Sequence, residues 1–220
     1  MSKIQNLKAA ALFVLILIGA VANGKQANAA SSETLIVAGG CFWCVESDFE
    51  SVPGVKEAVS GYTGGTTKKP TYKQVTKGGT GHYEAVKIIF DPAKVSREEL
   101  LNLFFRSVDP TDAGGQFCDR GDSYRTAVFA SGKAEKALAE AAKSEAQAAL
   151  GRTVVTPILN ASRFYDAEDY HQDYYKGDNI VLTRFGPKKQ SEAYKRYRKA
   201  CKRDAKVKAL WGSAAPFVGN

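Results

Sequence analysis

The residues with most capacity for nucleophilic or metal chemistry in this 220-residue chain are four cysteines, Cys41, Cys44, Cys118 and Cys201, and two histidines, His82 and His171. The first pair stands in Gly39-Gly40-Cys41-Phe42-Trp43-Cys44, directly after the apolar run Leu35-Ile36-Val37-Ala38. That pattern puts a thiol where a strand turns into a helix. The unpaired N–H groups and dipole of a helix start would stabilise a thiolate there. The two glycines let the backbone turn and a substrate approach closely, while Phe42 and Trp43 offer an aromatic wall. A lone cysteine in such a place reads more readily as a buried core residue than as a reactive thiol. A second cysteine three positions on changes the balance, because helical geometry brings the two Cα atoms to about 5 Å, within disulfide range. The pair therefore points to redox chemistry. One Cys-x-x-Cys with two scattered histidines is a weak zinc signal, and no metal or organic cofactor is expected.

The elements that must position this pair follow from the hydrophobic pattern. Leu35–Ala38 predicts a strand and Cys41–Phe49 a helix, with Glu46 inside it as a helix residue without a catalytic role. Strands are predicted over Val55–Tyr62 and Glu84–Phe90, separated by a loop from Thr66 to Tyr72 that contains Pro70. Ser96, with Glu99 at capping-box spacing, opens a helix closed by Asp109-Pro110. A polar loop from Asp112 to Ser123 precedes a strand over Arg125–Ala130 and an Ala/Glu/Lys-rich helix over Lys133–Leu150, stopped by Gly151. Thr153–Leu159 reads as a strand whose Pro157 suggests an edge. Phe164–Tyr175 and Gln190–Lys202 read as helices. With no internal repeat or linker, mixed short strands and helices predict an α+β fold, a single two-layer α/β sandwich with a mixed sheet.

The first residues read as an address rather than as part of that fold. Lys3 and Lys8 precede an apolar run from Ala9 to Ala22, followed by a small-x-small site at Ala27-Asn28-Ala29. This is the pattern of a cleaved signal peptide over residues 1–29; the run is shorter than the ~20 residues a membrane span needs. The expectation is a periplasmic protein, without stable membrane insertion after cleavage, whose catalytic domain is residues 30–220. The leader contributes Lys3, Lys8 and Lys25 and no acid, so the formal charge of +8 falls to +5 without it. Much of the remaining excess lies between Lys188 and Lys208, read as a solvated helix face. No nucleic-acid module accompanies it, and no nucleic-acid partner is expected.

Several further segments occur in an order that resembles the A-type methionine sulfoxide reductase family. They are Gly40-Cys41-Phe42-Trp43 with Glu46, Gly61-Tyr62-Thr63-Gly64-Gly65, Pro70-Thr71-Tyr72, Thr80-Gly81-His82-Tyr83-Glu84-Ala85-Val86, Asp119-Arg120-Gly121-Asp122-Ser123-Tyr124-Arg125-Thr126, and Ala167-Glu168-Asp169-Tyr170-His171-Gln172-Asp173-Tyr174. The resemblance runs from about Leu35 to Tyr174. It implies a ferredoxin-like core, a Cys41 nucleophile, Glu84 as the acid that protonates the sulfoxide oxygen, Tyr72 and Tyr124 as donors to that oxygen, and Phe42 and Trp43 around the substrate methyl. Asp119 would order the polar side of the site, and His171 would be a structural hydrogen-bonding group. A carboxyl acts as an acid near neutral pH only when burial raises its pKa.

The implied activity is reduction of the S epimer of methionine sulfoxide, in proteins, in peptides and as free amino acid. Cys41 would pass through a sulfenic acid to an intramolecular disulfide, recycled by a thioredoxin-like donor. A monomer is expected. The chain departs from the family in carrying Cys44 where many members have glycine, and in placing Cys201 in a basic, helical stretch. The resolving cysteine is ranked Cys44 first, then Cys118, then Cys201; alternatively, Cys118 and Cys201 bridge one another. Two other functions remain open on the sequence: a thiol–disulfide oxidoreductase working through Cys41 and Cys44, and a noncatalytic binder of oxidised methionine.

Overall fold

The computed structural model describes residues 32–183 and 186–219; the leader read at 1–29 lies outside them. In chain order the elements are β1 (Glu33–Gly39), α1 (Phe42–Glu50), β2 (Val55–Thr63), α2 (Tyr72–Lys77), β3 (Tyr83–Phe90), α3 (Arg97–Arg106), β4 (Gly115–Gln116), β5 (Asp119–Arg120), β6 (Thr126–Ala130), α4 (Gly132–Leu150), β7 (Ile158–Asn160), β8 (Tyr165–Asp166), β9 (Ile180–Thr183), β10 (Gly186–Lys189), α5 (Gln190–Ala200) and α6 (Arg203–Trp211).

Six strands form one sheet in the order β7-β6-β1-β3-β2-β8. All its pairings are antiparallel except β6 with β7, so the sheet is mixed and the fold is α+β, as the pattern predicts. Side chains alternate between its faces. Leu35 and Val37, Ala58 and Tyr62, Val86, Ile88 and Phe90, and Val128 meet α1, α3 and α4 in the main core. Phe104 and Phe105 are fully enclosed there, each contributing roughly 1.5–3 kcal/mol over exposure. The opposite face carries a small cluster of Ala38, Tyr83, Ala85, Ala127 and Phe129. Glu84 alternates onto the helix-bearing face, toward α1.

The predicted starts and stops hold in detail at several places. Ser96 accepts the Glu99 N–H at the start of α3, and Gly151 ends α4 in the left-handed conformation. β7 is an edge strand, but it begins only at Ile158. The N–H groups before it bond elsewhere, Val154 to Gln147 Oε1 and Val155 to the Pro110 carbonyl.

The helix read over Phe164–Tyr175 is corrected. Tyr165 and Asp166 pair with β2, and only Asp169–His171 winds into a single 3₁₀ turn. Tertiary hydrogen bonds replace helical ones there: the Gln172 amide brackets the Ser60 backbone, and Glu168 accepts from Tyr62 Oη and the Tyr72 N–H. The loop read up to Tyr72 ends in α2, whose start is a full capping box between Thr71 and Gln74. The basic stretch near the C-terminus is also corrected. Arg198 and Arg203 are buried rather than solvated, and a second helix, α6, follows α5.

Candidate active site

The site forms where β1 ends. Gly39 and Gly40 carry the chain from the strand to Cys41, which stands at the N-cap of α1. Gly40 has φ +83°, and a Cβ there would meet the Cβ of buried Gln116 at 2.6 Å, so the turn requires glycine. Cys41 opens onto a cavity of about 50 Å³ lined by Cys41, Phe42, Trp43, Tyr72, Glu84, Asp119, Tyr124 and Tyr197. Every residue assigned from sequence to the attack on the sulfoxide or to the methyl pocket lines this one cavity, whereas the three candidate resolvers, Cys44, Cys118 and Cys201, do not. They arrive from α1, α2, β3, β5 and the short 3₁₀ turn at Asp122–Tyr124.

Glu84 is almost wholly buried. Its Oε2 accepts the Phe42 N–H at 3.1 Å, while Oε1 is buried with no hydrogen-bond partner. Burial pushes its carboxyl up to about 8; the Phe42 N–H and the nearby Tyr124 hydroxyl oppose the rise, and the negative charges of Asp119 and Cys44 add to it. Glu84 is therefore protonated near neutral pH, with one oxygen unspent. Burial and neighbouring negative charge also hold the Tyr72 and Tyr124 hydroxyls well above the ordinary phenol range, so both are donors at any physiological pH.

The cysteine pair differs from expectation in one respect. Burial, the hydrogen bond with Cys44 and the charges of Cys44, Glu84 and Asp119 raise the Cys41 thiol well above its ordinary value. Cys44 is lowered, first by the hydrogen bond from Cys41 and further by the Arg203 and Arg198 guanidiniums. Cys44 is thus the more acidic of the two, and Cys41 the harder to ionise. The helix start is outweighed by desolvation and by two nearby carboxyl groups. A protonated Glu84 carries no charge, which removes one of the terms opposing a Cys41 thiolate. Cys41 and Cys44 are both free and buried.

Trp43 is fixed from two sides. Its ring stacks on Tyr174 at 3.9 Å and 8°, and its Nε1 donates to His171 Nδ1 at 3.2 Å. Burial lowers His171 to about 4, so the ring is neutral and acts as a hydrogen-bonding prop. Glu46 is a second prop: it is buried and accepts from Ser60 Oγ and the Asp173 N–H. Together with Glu50, which accepts from Tyr175 and Lys176, it ties the loop bearing His171 and Tyr174 to α1. These two carboxylates converge with Asp173, in a cluster already engaged by protein donors.

Cys118 and Cys201 are joined by a disulfide with Cα atoms 4.9 Å apart. Neither lines the small cavity. Both line a neighbouring groove of about 470 Å³ that shares Trp43 and Tyr197 with it. Tyr197 is the residue that sequence reasoning missed: it lies on α5, and its hydroxyl donates to Asp119 Oδ2. Its only sequence signal was its place one helical turn before Cys201.

Comparison with known proteins places these features in a wider set. The family model described as "Peptide methionine sulfoxide reductase" matches residues 33–214. A peptide methionine sulfoxide reductase MsrA 2 of Rhizobium meliloti is 48% identical over 189 residues, covering 86% of this chain and 88% of its own. One from Caulobacter vibrioides is 47% identical over 213 residues, covering 96% and 100%. Among solved structures, reduced Mxr1 from Saccharomyces cerevisiae is similar with a TM-score of 0.63 and 32% identity, over 67% of this chain and 86% of that one. Methionine sulfoxide reductase A of Corynebacterium diphtheriae gives 0.59 and 34%, over 65% and 73%.

Proposed function

This chain belongs to the peptide methionine sulfoxide reductase family, and from that premise we propose how its own residues reduce the S epimer of methionine sulfoxide in proteins, peptides and the free amino acid. The observation that carries the proposal is the unpartnered Glu84 Oε1, buried in the cavity that also holds Cys41. A protonated carboxyl with a free oxygen beside a thiol, flanked by the hydroxyls of Tyr72 and Tyr124 in the same cavity, is what sulfoxide reduction needs.

The sulfoxide oxygen enters among Glu84, Tyr72 and Tyr124, with the methyl against Phe42 and Trp43. Glu84 gives its proton to the oxygen while Cys41 sulfur attacks the substrate sulfur, its own proton passing toward Cys44. The protonated oxygen passes to the Cys41 sulfur as the substrate's sulfur–oxygen bond and the transient bond between the two sulfurs break, so methionine leaves with the electron pair and Cys41 is left as a sulfenic acid. Cys44 then attacks it, releasing water and closing the Cys41–Cys44 disulfide. The lowered pKa of Cys44 suits this attack. A thioredoxin-like dithiol returns both thiols by exchange and leaves as a disulfide. The leader pattern at 1–29, together with the Cys118–Cys201 bridge, supports export to the periplasm; mass measurement of the mature N-terminus tests the cleavage.

The direct test is single turnover of the reduced protein with the S and R epimers of free and peptide methionine sulfoxide. Stoichiometric reduction of the S epimer alone is expected, and no S-epimer reduction would sink the reading. Peptide mass mapping after one turnover should find Cys41 joined to Cys44. A Cys44→Ser variant that recycles with thioredoxin at the parental rate would remove Cys44 as resolver.

A further inference from the structure

Tyr197 lies beyond the stretch in which the sequence motifs occur, yet its ring shares a cavity with Cys41 and Glu84. It stands edge-on to Trp43, with ring centroids 6.2 Å apart and planes at 84°. Its hydroxyl donates to Asp119. The residue before Asp119 is Cys118, and the residue four beyond Tyr197 is Cys201, which caps α5. These two are the disulfide. Two consecutive residues at the start of β5 are thus joined to two positions one turn apart on the same face of α5, once covalently and once by a hydrogen bond. A helix pinned at Cys201 has little freedom to withdraw Tyr197 from Asp119.

We infer that Tyr197 is a positioning residue of the sulfoxide site, held on Asp119 by the Cys118–Cys201 disulfide, which is a clasp on the cavity wall rather than a step in the electron path. The inference rests on the reading of the site given above. Its physical content is the state of Asp119. The Tyr197 hydroxyl opposes the effect of burial on Asp119 and favours its carboxylate, as does the nearby Arg203 charge. That carboxylate is one of the negative charges keeping the proton on Glu84. The other groups facing Glu84 are Cys41 and Cys44 from α1, Tyr72 from α2, Tyr62 from β2, and Tyr124. Without the Tyr197 hydroxyl, Asp119 takes up a proton more readily, its charge weakens, and Glu84 releases its proton at lower pH.

The test compares the full chain with Tyr197→Phe, with Cys118→Ala/Cys201→Ala, and with all three changes, using a peptide carrying the S sulfoxide and thioredoxin as donor. Tyr197→Phe keeps the ring and should lower kcat by about tenfold with KM within about twofold, moving the alkaline limb of the pH–rate profile to lower pH. The cysteine double variant should lose activity in the same sense but less. It should still yield one methionine per chain without donor and still be recycled by thioredoxin. In the Tyr197→Phe background the double change should add no further loss, since both act through one contact. Parental kcat and an unmoved profile for Tyr197→Phe would overturn the inference. So would independent, multiplying losses, or a double variant that closes Cys41–Cys44 and then cannot be recycled. Isotope-edited carboxyl NMR supplies a readout free of turnover. If the parent fails to reduce the sulfoxide, the functional reading fails, while a Glu84 titration unmoved by Tyr197→Phe sinks the positioning role by itself.

Discussion

One wall of the cavity, carrying Cys41, Phe42 and Glu84, rises from the central sheet; the opposite wall, carrying Asp119 and Tyr197, rises from the short strand β5 and helix α5. The first wall is fixed by strand ladders and by apolar packing beneath α1. The second is fixed by buried polar cross-links. Arg198 pairs with Asp48 at 2.8 Å and also binds Asp204, Tyr194 and the Phe217 carbonyl. Arg203 donates to the Gly39 and Ser107 carbonyls. Ladders and packing give precision without charge, whereas the cross-links make the cover depend on ionisation and pairing. Changes in the first wall should therefore strike chemistry before stability, and changes in the buried cross-links behind the second should strike stability before chemistry.

The largest expected effect tests the first half of that contrast. Glu84→Gln keeps an acceptor for the Phe42 N–H but cannot release a proton to the sulfoxide. Single-turnover reduction should fall by about 10³-fold. In the parent the chemical step needs the protonated carboxyl, so its rate should decline as pH rises through about 8; the variant should lose that limb. Its thermal midpoint should stay at or above the parent's in mildly alkaline buffer, because a buried carboxylate is no longer forced to ionise. A parental rate would remove Glu84 as the acid, and a collapsed midpoint would mean the wall depends on its charge.

Asp48→Asn tests the other half. Asp48 lies on the buried face of α1, with Arg198 bonded to it and Arg203 Nε 3.7 Å away, and it does not line the cavity. Removing its charge leaves two buried guanidiniums short of compensation, at a cost of about 3 kcal/mol. Urea unfolding should show that loss, while the folded variant keeps its single-turnover rate within about threefold. A large kinetic loss at unchanged stability would erase the distinction between the walls.

The two walls also differ in how legible they were. Strand periodicity, the Gly-Gly turn and the Cys-x-x-Cys spacing act locally, so β1, α1, β2 and β3 could be read almost to their ends. The family motifs then named the residues that line the cavity. What escaped reading depends on partners distant in sequence. The Phe164–Tyr175 stretch has helical composition, but Gln172 and Glu168 find backbone and side-chain partners more than 90 positions away, and these override local propensity. Arg198 and Arg203 look like surface charges until Asp48 supplies a buried counter-ion. Tyr197 had no motif, and only the folded α5 brings it to Asp119. The α2 helix was a different miss, because the Thr71-x-x-Gln74 capping signal was present in the sequence.

Glu46 sharpens the comparison from a third place, the clasp that holds the His171–Tyr174 loop. Burial, opposed by the hydrogen bonds from Ser60 and Asp173, pushes its carboxyl up to about 7 from an ordinary 4.5. Between those values the folded protein keeps a proton that the unfolded chain releases, so stability from this group falls as pH rises through that window. Glu46→Gln removes the penalty. Its stability relative to the parent should improve by on the order of 2 kcal/mol between about pH 5 and pH 8. Urea titrations at both pH values check this, and a difference that is flat or falls with pH would mean the clasp needs the carboxylate.

The smallest effect belongs to α2, which joins the two kinds of support at one residue. Tyr72 lines the cavity from the first position of this helix, with its N–H on Glu168 Oε1 at 2.9 Å. The turn itself is started by the exchange between Thr71 and Gln74. Thr71→Ala removes the side-chain acceptor for the Gln74 N–H and should cost about 1 kcal/mol. Because Glu168 still grips the Tyr72 backbone, the sulfoxide-facing hydroxyl should stay in place. The expected outcome is a slightly lower thermal midpoint, faster amide exchange confined to α2 and a kcat within about twofold of the parent. A tenfold loss of kcat would show that Tyr72 is aimed by its own helix cap and not by the distant Glu168, placing it with the locally built wall.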